Sequence, residues 1–162
     1  MVRMGELAVS KDAGHVLASI GLGSCIGLVL LDTTKPLAGL AHIMLPASNV
    51  DPDGPVGKFA DRAVPALLKQ MESIGALKMR LEAVLVGGAS MFTFASSSSL
   101  EIGKRNEDAT RTALKAIGIK IVEAVTGGTK GRTVRVDVAT GVVTVKEPGS
   151  PELPVYTPRR AR

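Results

Sequence analysis

One cysteine, Cys25, and two histidines, His15 and His42, are the residues through which this 162-residue chain can do covalent chemistry. Cys25 ends the segment Ser19-Ile20-Gly21-Leu22-Gly23-Ser24-Cys25. A glycine-rich turn leaves a thiol little shielded and lets backbone N–H groups point outward, which suits a nucleophile. A thiolate attacks a carbonyl carbon, and an imidazole in hydrogen-bond reach takes the thiol proton and later gives it to a leaving amine. His42 lies in Gly39-Leu40-Ala41-His42-Ile43-Met44-Leu45-Pro46, read as the strand beside the one that begins at the cysteine. Adjacent strands bring the two side chains together. A buried structural thiol and a histidine hydrogen-bonded in the core are the alternative, and spacing leaves both readings open. His15, beside a turn, is expected to be exposed.

The elements that must position this pair are legible from patterning. Residues 4–10 and 15–20 read as strands joined by a polar turn at Lys11 to Gly14, a hairpin. Ile26 to Leu31 and Leu37 to Leu45 read as adjacent buried strands, separated by Asp32-Thr33-Thr34-Lys35-Pro36. Residues 47–57, rich in Pro and Gly, read as a surface loop. Phe59, Ala63, Leu67, Met71 and Ile74 recur at helical spacing. Pro65 inside that run predicts a kink or a start later than Lys58. Leu81 to Val86 is a strand, and Ser96 to Ser99 reads as a flexible loop. Asn106, followed by Glu107 and Asp108, reads as the cap of a second helix that ends at Gly118. Ile119 to Val125, Thr133 to Val138 and Val142 to Val145 read as strands, the last two a hairpin through Ala139-Thr140-Gly141. This order predicts one α+β domain, with helices packed on a mostly antiparallel sheet system. Residues 1–147 form that domain, and residues 148–162 a basic, flexible C-terminal tail.

Composition narrows the function. The chain is 45% hydrophobic and 22% charged, with three Phe, one Tyr and no Trp, so aromatic stacking on nucleic-acid bases has almost nothing to use. The net charge is +5, part of it from Arg159, Arg160 and Arg162 in the tail, too sparse for a nucleic-acid stripe. One cysteine forms no intramolecular disulfide, and no His/Cys cluster has zinc-ligand spacing. The absence of a bilayer-length apolar stretch and of a signal-like start makes the cytoplasm the expected location. Gly21-Leu22-Gly23-Ser24-Cys25-Ile26-Gly27 is one residue off a dinucleotide fingerprint, but a turn arrives before any helix could run its course. Gly127-Gly128-Thr129-Lys130-Gly131-Arg132 lacks the ending of a P-loop, and Ser24 is not in a Gly-x-Ser-x-Gly elbow.

Gly21-Leu22-Gly23-Ser24-Cys25 followed by Ala41-His42-Ile43-Met44-Leu45-Pro46 resembles the chemoreceptor glutamine deamidase family, CheD. Gly87-Gly88-Ala89-Ser90-Met91-Phe92, Ile102-Gly103-Lys104-Arg105-Asn106, and Thr126-Gly127-Gly128 with Gly131-Arg132 look like that family's later motifs. The resemblance covers about residues 5–145. It implies a layered α/β fold and a cytoplasmic enzyme that converts glutamines of methyl-accepting chemotaxis proteins to glutamate through a thioester on Cys25, with no cofactor or metal. It further implies Cys25 as nucleophile and His42 as acid and base. Its third catalytic residue is a threonine six positions before the cysteine; here that position holds Ser19, which would orient His42. Backbone N–H groups of Ser24 and Cys25 are the candidate oxyanion donors. The implied partners are the helical bundle of the receptors and a CheC-type phosphatase. A non-catalytic binding module for either is the competing class.

Overall fold

Strand β3, Ile26–Asp32, is buried at every position, because it is the middle strand of the middle layer. The computed structural model describes residues 1–48, 53–91 and 97–161. Ile26, Leu28 and Leu30 point to one face of β3 and Val29 and Leu31 to the other, each set in a separate apolar cluster. A strand covered on both faces loses the apolar–polar alternation of a half-buried one, which is why its sequence reads as a continuous apolar run.

Around β3 lies a five-stranded sheet in the order β1-β4-β3-β5-β6, with β1 at Leu7–Ser10, β4 at Ala38–Ile43, β5 at Leu81–Gly87 and β6 at Lys120–Thr126. All its pairings are antiparallel except β5 with β6. Helix α1, Ala60–Ser73, and helix α2, Ser97–Ile117, cover one face. Ala63, Val64, Leu67 and Met71 of α1 and Leu114 of α2 pack there on Leu28, Leu30 and Leu85. The other face is covered by a second sheet in the order β2-β7-β8-β9: Val16–Leu22, Arg132–Asp137, Val143–Lys146 and Leu153–Tyr156. Val134, Val136, Val143 and Val145 meet Val29, Leu31, Leu40 and Val84 across the interface. The α+β fold with mostly antiparallel sheets is therefore present, as three layers.

Several expectations are corrected. The strands near the N-terminus are not a hairpin: β1 pairs with β4 in one sheet and β2 with β7 in the other. The polar turn between them crosses from layer to layer. Helix α1, by contrast, starts at Ala60, later than Lys58 as expected from Pro65, and keeps that proline inside at an exposed position. Ser97 to Ser99, expected in a flexible loop, open α2, and Ser96 lies outside the described residues. Asn106 is consequently no cap. It sits mid-helix and fully buried. Most of the predicted loop at 47–57 is described, except residues 49–52, and it carries a short 3-10 turn at Val56–Lys58. The tail expected to be flexible contains β9, which pairs antiparallel with β8.

Candidate active site

Cys25 is the last residue of the turn that leads from β2 into β3, and it is half-buried. The turn is held from behind. Gly88 N–H donates to the Cys25 carbonyl at 2.9 Å, and Ala89 N–H donates to the Gly23 carbonyl at 2.8 Å. At Gly87, φ is +116° and a Cβ would lie 2.1 Å from the Cys25 carbonyl oxygen, so a side chain is excluded by both conformation and space. Among the described residues, the N–H groups of Ser24 and Cys25 meet no backbone acceptor.

His42 is the fifth residue of β4 and pairs directly with Gly27. Cys25 lies two positions before Gly27, in the turn just beyond the last ladder pair, Ile26–Ile43. Cys25 packs against the apolar cluster between the two sheets, and alternation along β4 turns His42 to that same side. Gly27 contributes no side chain between them. Sequence placed these two residues on adjacent strands, and the fold brings them to the same end and the same face.

Electrostatics set their resting state. Burial pushes the Cys25 thiol above its ordinary pKa. Burial also pushes the His42 imidazole down, against smaller opposing effects of the Val2 backbone and the Glu6 carboxylate. Both shifts favour neutral groups, so the pair rests as thiol and imidazole rather than as an ion pair. Neither ring nitrogen of His42 has a hydrogen-bond partner of ordinary geometry among the described residues. A cavity of about 460 Å³ reaches the imidazole, lined by Met1, Val2, Met4, Ile20 and Gly21.

Ser19 on β2 is fully buried and faces the first sheet, yet its hydroxyl does not bond the imidazole. It donates to the Val2 carbonyl at 2.7 Å, and Val2 N–H returns a 2.7 Å bond to the Ala18 carbonyl. The serine therefore secures the N-terminal segment that lies over His42. His15 is exposed, as its place beside a turn predicts, and its Nδ1 lies 2.8 Å from Ser10 Oγ.

The later glycine motifs converge behind the cysteine. Gly127 N–H donates to the Gly87 carbonyl at 3.0 Å, and Ser90 N–H to the Gly128 carbonyl at 2.9 Å. Arg132, almost fully buried, donates from Nη1 to the carbonyls of Gly127 and Gly87 and from Nε to Glu147. Gly103 lets α2 touch this wall: a Cβ there would lie 2.6 Å from the Gly88 carbonyl oxygen. The motifs were visible in the sequence. Their common purpose was not, since it depends on contacts between residues far apart in the chain.

The family described as "CheD chemotactic sensory transduction" matches residues 44–147, a span that contains all of these supporting motifs. The chain is 40% identical over 152 residues to the chemoreceptor glutamine deamidase CheD of Thermotoga maritima, with 94% of each chain covered. It belongs to the CheD family. A probable chemoreceptor glutamine deamidase CheD from Methanococcus vannielii is 40% identical over 90% of this chain and 93% of its own. One from Clostridium botulinum is 45% identical over 90% of both. The CheD family match begins at residue 44, so Ser19, Cys25 and His42 lie before it, within the region that the whole-chain alignments span by length. Among the described residues, no helix is long and apolar enough to cross a membrane.

Proposed function

We propose that this chain is a cysteine-dependent protein-glutamine deamidase that acts on the cytoplasmic helical bundle of chemoreceptors. The observation that supports this reading is that Cys25, in the turn before β3, and the buried His42 of β4 stand at the same end of the first sheet, with His42 lining a cavity. The names of the relatives supply the substrate class.

In the proposed reaction, Cys25 Sγ attacks the carboxamide carbon of a glutamine while His42 accepts the thiol proton. Coupling the two events suits a pair that rests neutral, because no isolated thiolate has to form in a desolvated site. The oxygen of the tetrahedral intermediate is met by the N–H groups of Ser24 and Cys25. His42 then gives its proton to the departing nitrogen, ammonia leaves, and a thioester remains on Sγ. Water attacks that carbon as His42 takes one of its protons; the C–S bond breaks, the proton returns to sulfur, and the product is glutamate. The balance is one amide and one water consumed, one carboxylic acid and one ammonia formed. The exposed apolar side chains of Met1, Met4 and Ile20 beside the cavity offer a surface for the aliphatic part of a receptor helix. The chain's net charge of +5 favours an acidic partner.

The test is ammonia release, with the one-dalton gain of amide-to-acid exchange, on receptor cytoplasmic fragments. Wild type should be active, and folded Cys25→Ala and His42→Ala variants should lose about 10²-fold or more. Folded wild type that binds receptor, or a CheC-type phosphatase, without modifying glutamine would instead make the chain an adaptor.

A further inference from the structure

Asn106 occupies a position where a helix packed on a sheet ordinarily carries an apolar residue. It is fully buried at the middle of α2, and its side-chain amide donates two hydrogen bonds of 2.9 Å, to the carbonyls of Ser24 and Met44. Both neighbours are carbonyl oxygens, so the nitrogen of the amide must be the atom that faces them. Its own oxygen meets no donor among the described residues. The amide is thus kept in the core at a desolvation cost, for the sake of what it donates.

The two carbonyls belong to the two halves of the site. Ser24 precedes Cys25, and Met44 lies two residues after His42 on the β4 chain. A peptide unit is planar and, when trans, points its carbonyl and N–H in opposite directions. Fixing the Ser24 carbonyl toward α2 therefore fixes the Cys25 N–H away from α2, toward the open side of the turn. One nitrogen holds that peptide plane and, at the same time, the separation of the cysteine turn from the histidine strand. Neither carbonyl can be reached by a residue of the sheet itself, since both lie at its end, beyond the last ladder pair Ile26–Ile43.

We propose that Asn106 is a positioning residue: its amide clamps the Cys25 turn to the His42 strand and sets the direction of the Cys25 N–H. The functional meaning of the clamp rests on the deamidase reading, but its effect on Cys25 can be measured without any receptor. Cys25 is the only thiol, so its alkylation by iodoacetamide reports on the site alone.

The experiment follows the pH dependence of that alkylation in full-length wild type, Asn106→Asp and Asn106→Ala, and follows kcat and KM on receptor fragments. Asn106→Asp keeps the shape and removes both donors. Thr110→Val is the control: Thr110 is buried one turn along α2, and its hydroxyl bonds the Asn106 carbonyl without touching Ser24 or Met44. In the Asn106 variants the alkylation midpoint should move toward that of an ordinary thiol, and kcat should fall about 10²-fold with KM unchanged. Thr110→Val should keep the wild-type profile and kcat whatever its melting temperature. A folded Asn106→Asp with the wild-type alkylation profile overturns the proposal, as does a Thr110→Val variant that reproduces the shift. Failure of both Asn106 variants to fold would make the residue a structural tie and overturn it too. If wild type deamidates nothing, the function reading fails, while the alkylation comparison still decides the role of Asn106.

Discussion

The hydroxyl of Ser19 and the carbonyl of Val2 are joined by a buried 2.7 Å hydrogen bond, which lays the first residues of the chain along β2 and over His42. The hydroxyl meets the backbone that lies over the imidazole, not the imidazole itself. Removing the donor leaves the Val2 carbonyl buried and unpaired.

Ser19→Ala should therefore cost about 1–2 kcal/mol of stability. For a domain of this size that is a fall in Tm of about 2–4 °C per kcal/mol. A chain begun at Met4 removes the same cover by another route. If the tie acts as one unit, the double variant should lose no more activity than the more damaging single one. Losses that add would show that Ser19 acts on the site independently of the N-terminal segment.

Gly87→Ala should be among the most damaging single-methyl additions in the chain. Its Cβ would sit 2.1 Å from the Cys25 carbonyl, at a φ of +116°. The turn that carries the thiol must move for the protein to fold at all. We expect deamidation to fall about 10²-fold or more in whatever fraction folds. Gly118→Ala serves as the comparison: it has a positive φ but nothing within 4 Å of an added Cβ, and should cost stability alone. Normal activity in Gly87→Ala would disprove the tight fit.

Stability should show a plateau near neutrality that the two site residues help to bound. His42 has a depressed pKa when folded, so as pH falls below about 6.5 the unfolded chain takes up a proton first and stability drops. Cys25 has a raised pKa when folded, so as pH rises past about 8.5 the unfolded chain loses its proton first and stability drops again. Urea midpoints measured across pH should lose part of the acid limb in His42→Ala and part of the alkaline limb in Cys25→Ala. Unchanged limbs would mean the two groups titrate alike in both states.

Asp32 offers a way to weaken the fold away from the site. It is fully buried and, against the burial that would raise its pKa, is held below the carboxylate range by the backbone of Thr34 and Lys35, the Thr34 hydroxyl and Arg80. Arg80 also pairs with it at 3.2 Å. Asp32→Asn should cost about 2 kcal/mol and leave Cys25 alkylation as in wild type. A changed alkylation profile would reveal coupling along β3 from one end to the other.

What could be read from the sequence was whatever local pattern determines. β3, β4, β5 and α1 announce themselves by apolar runs or helical periodicity, which puts Cys25 just before one apolar run and His42 within the next. Ser19 was placed correctly in the core by none of these signals, because its partner is a backbone carbonyl at the start of the chain. Asn106 was misread because Asn-Glu-Asp has the composition of a helix start, and only a contact with Ser24 and Met44 explains a buried amide there. The β1–β2 hairpin failed for a similar reason. A short polar turn permits a hairpin but does not require one when each strand finds a better partner in a different sheet. β9 was missed because four residues that include Pro154 carry little strand signal of their own.

Sheet pairing also imposes an order of events on biosynthesis. Ser19 lies opposite Val134, and the Cys25 carbonyl is enclosed by a loop that Arg132 secures. Cys25 is made well before Arg132 and the other residues that wall it in. Pairings this distant in sequence also close slowly. For that interval the thiol is ordinary, exposed and open to oxidants or alkylating agents. Brief labelling of nascent or refolding chains should therefore mark a cysteine that the finished protein guards.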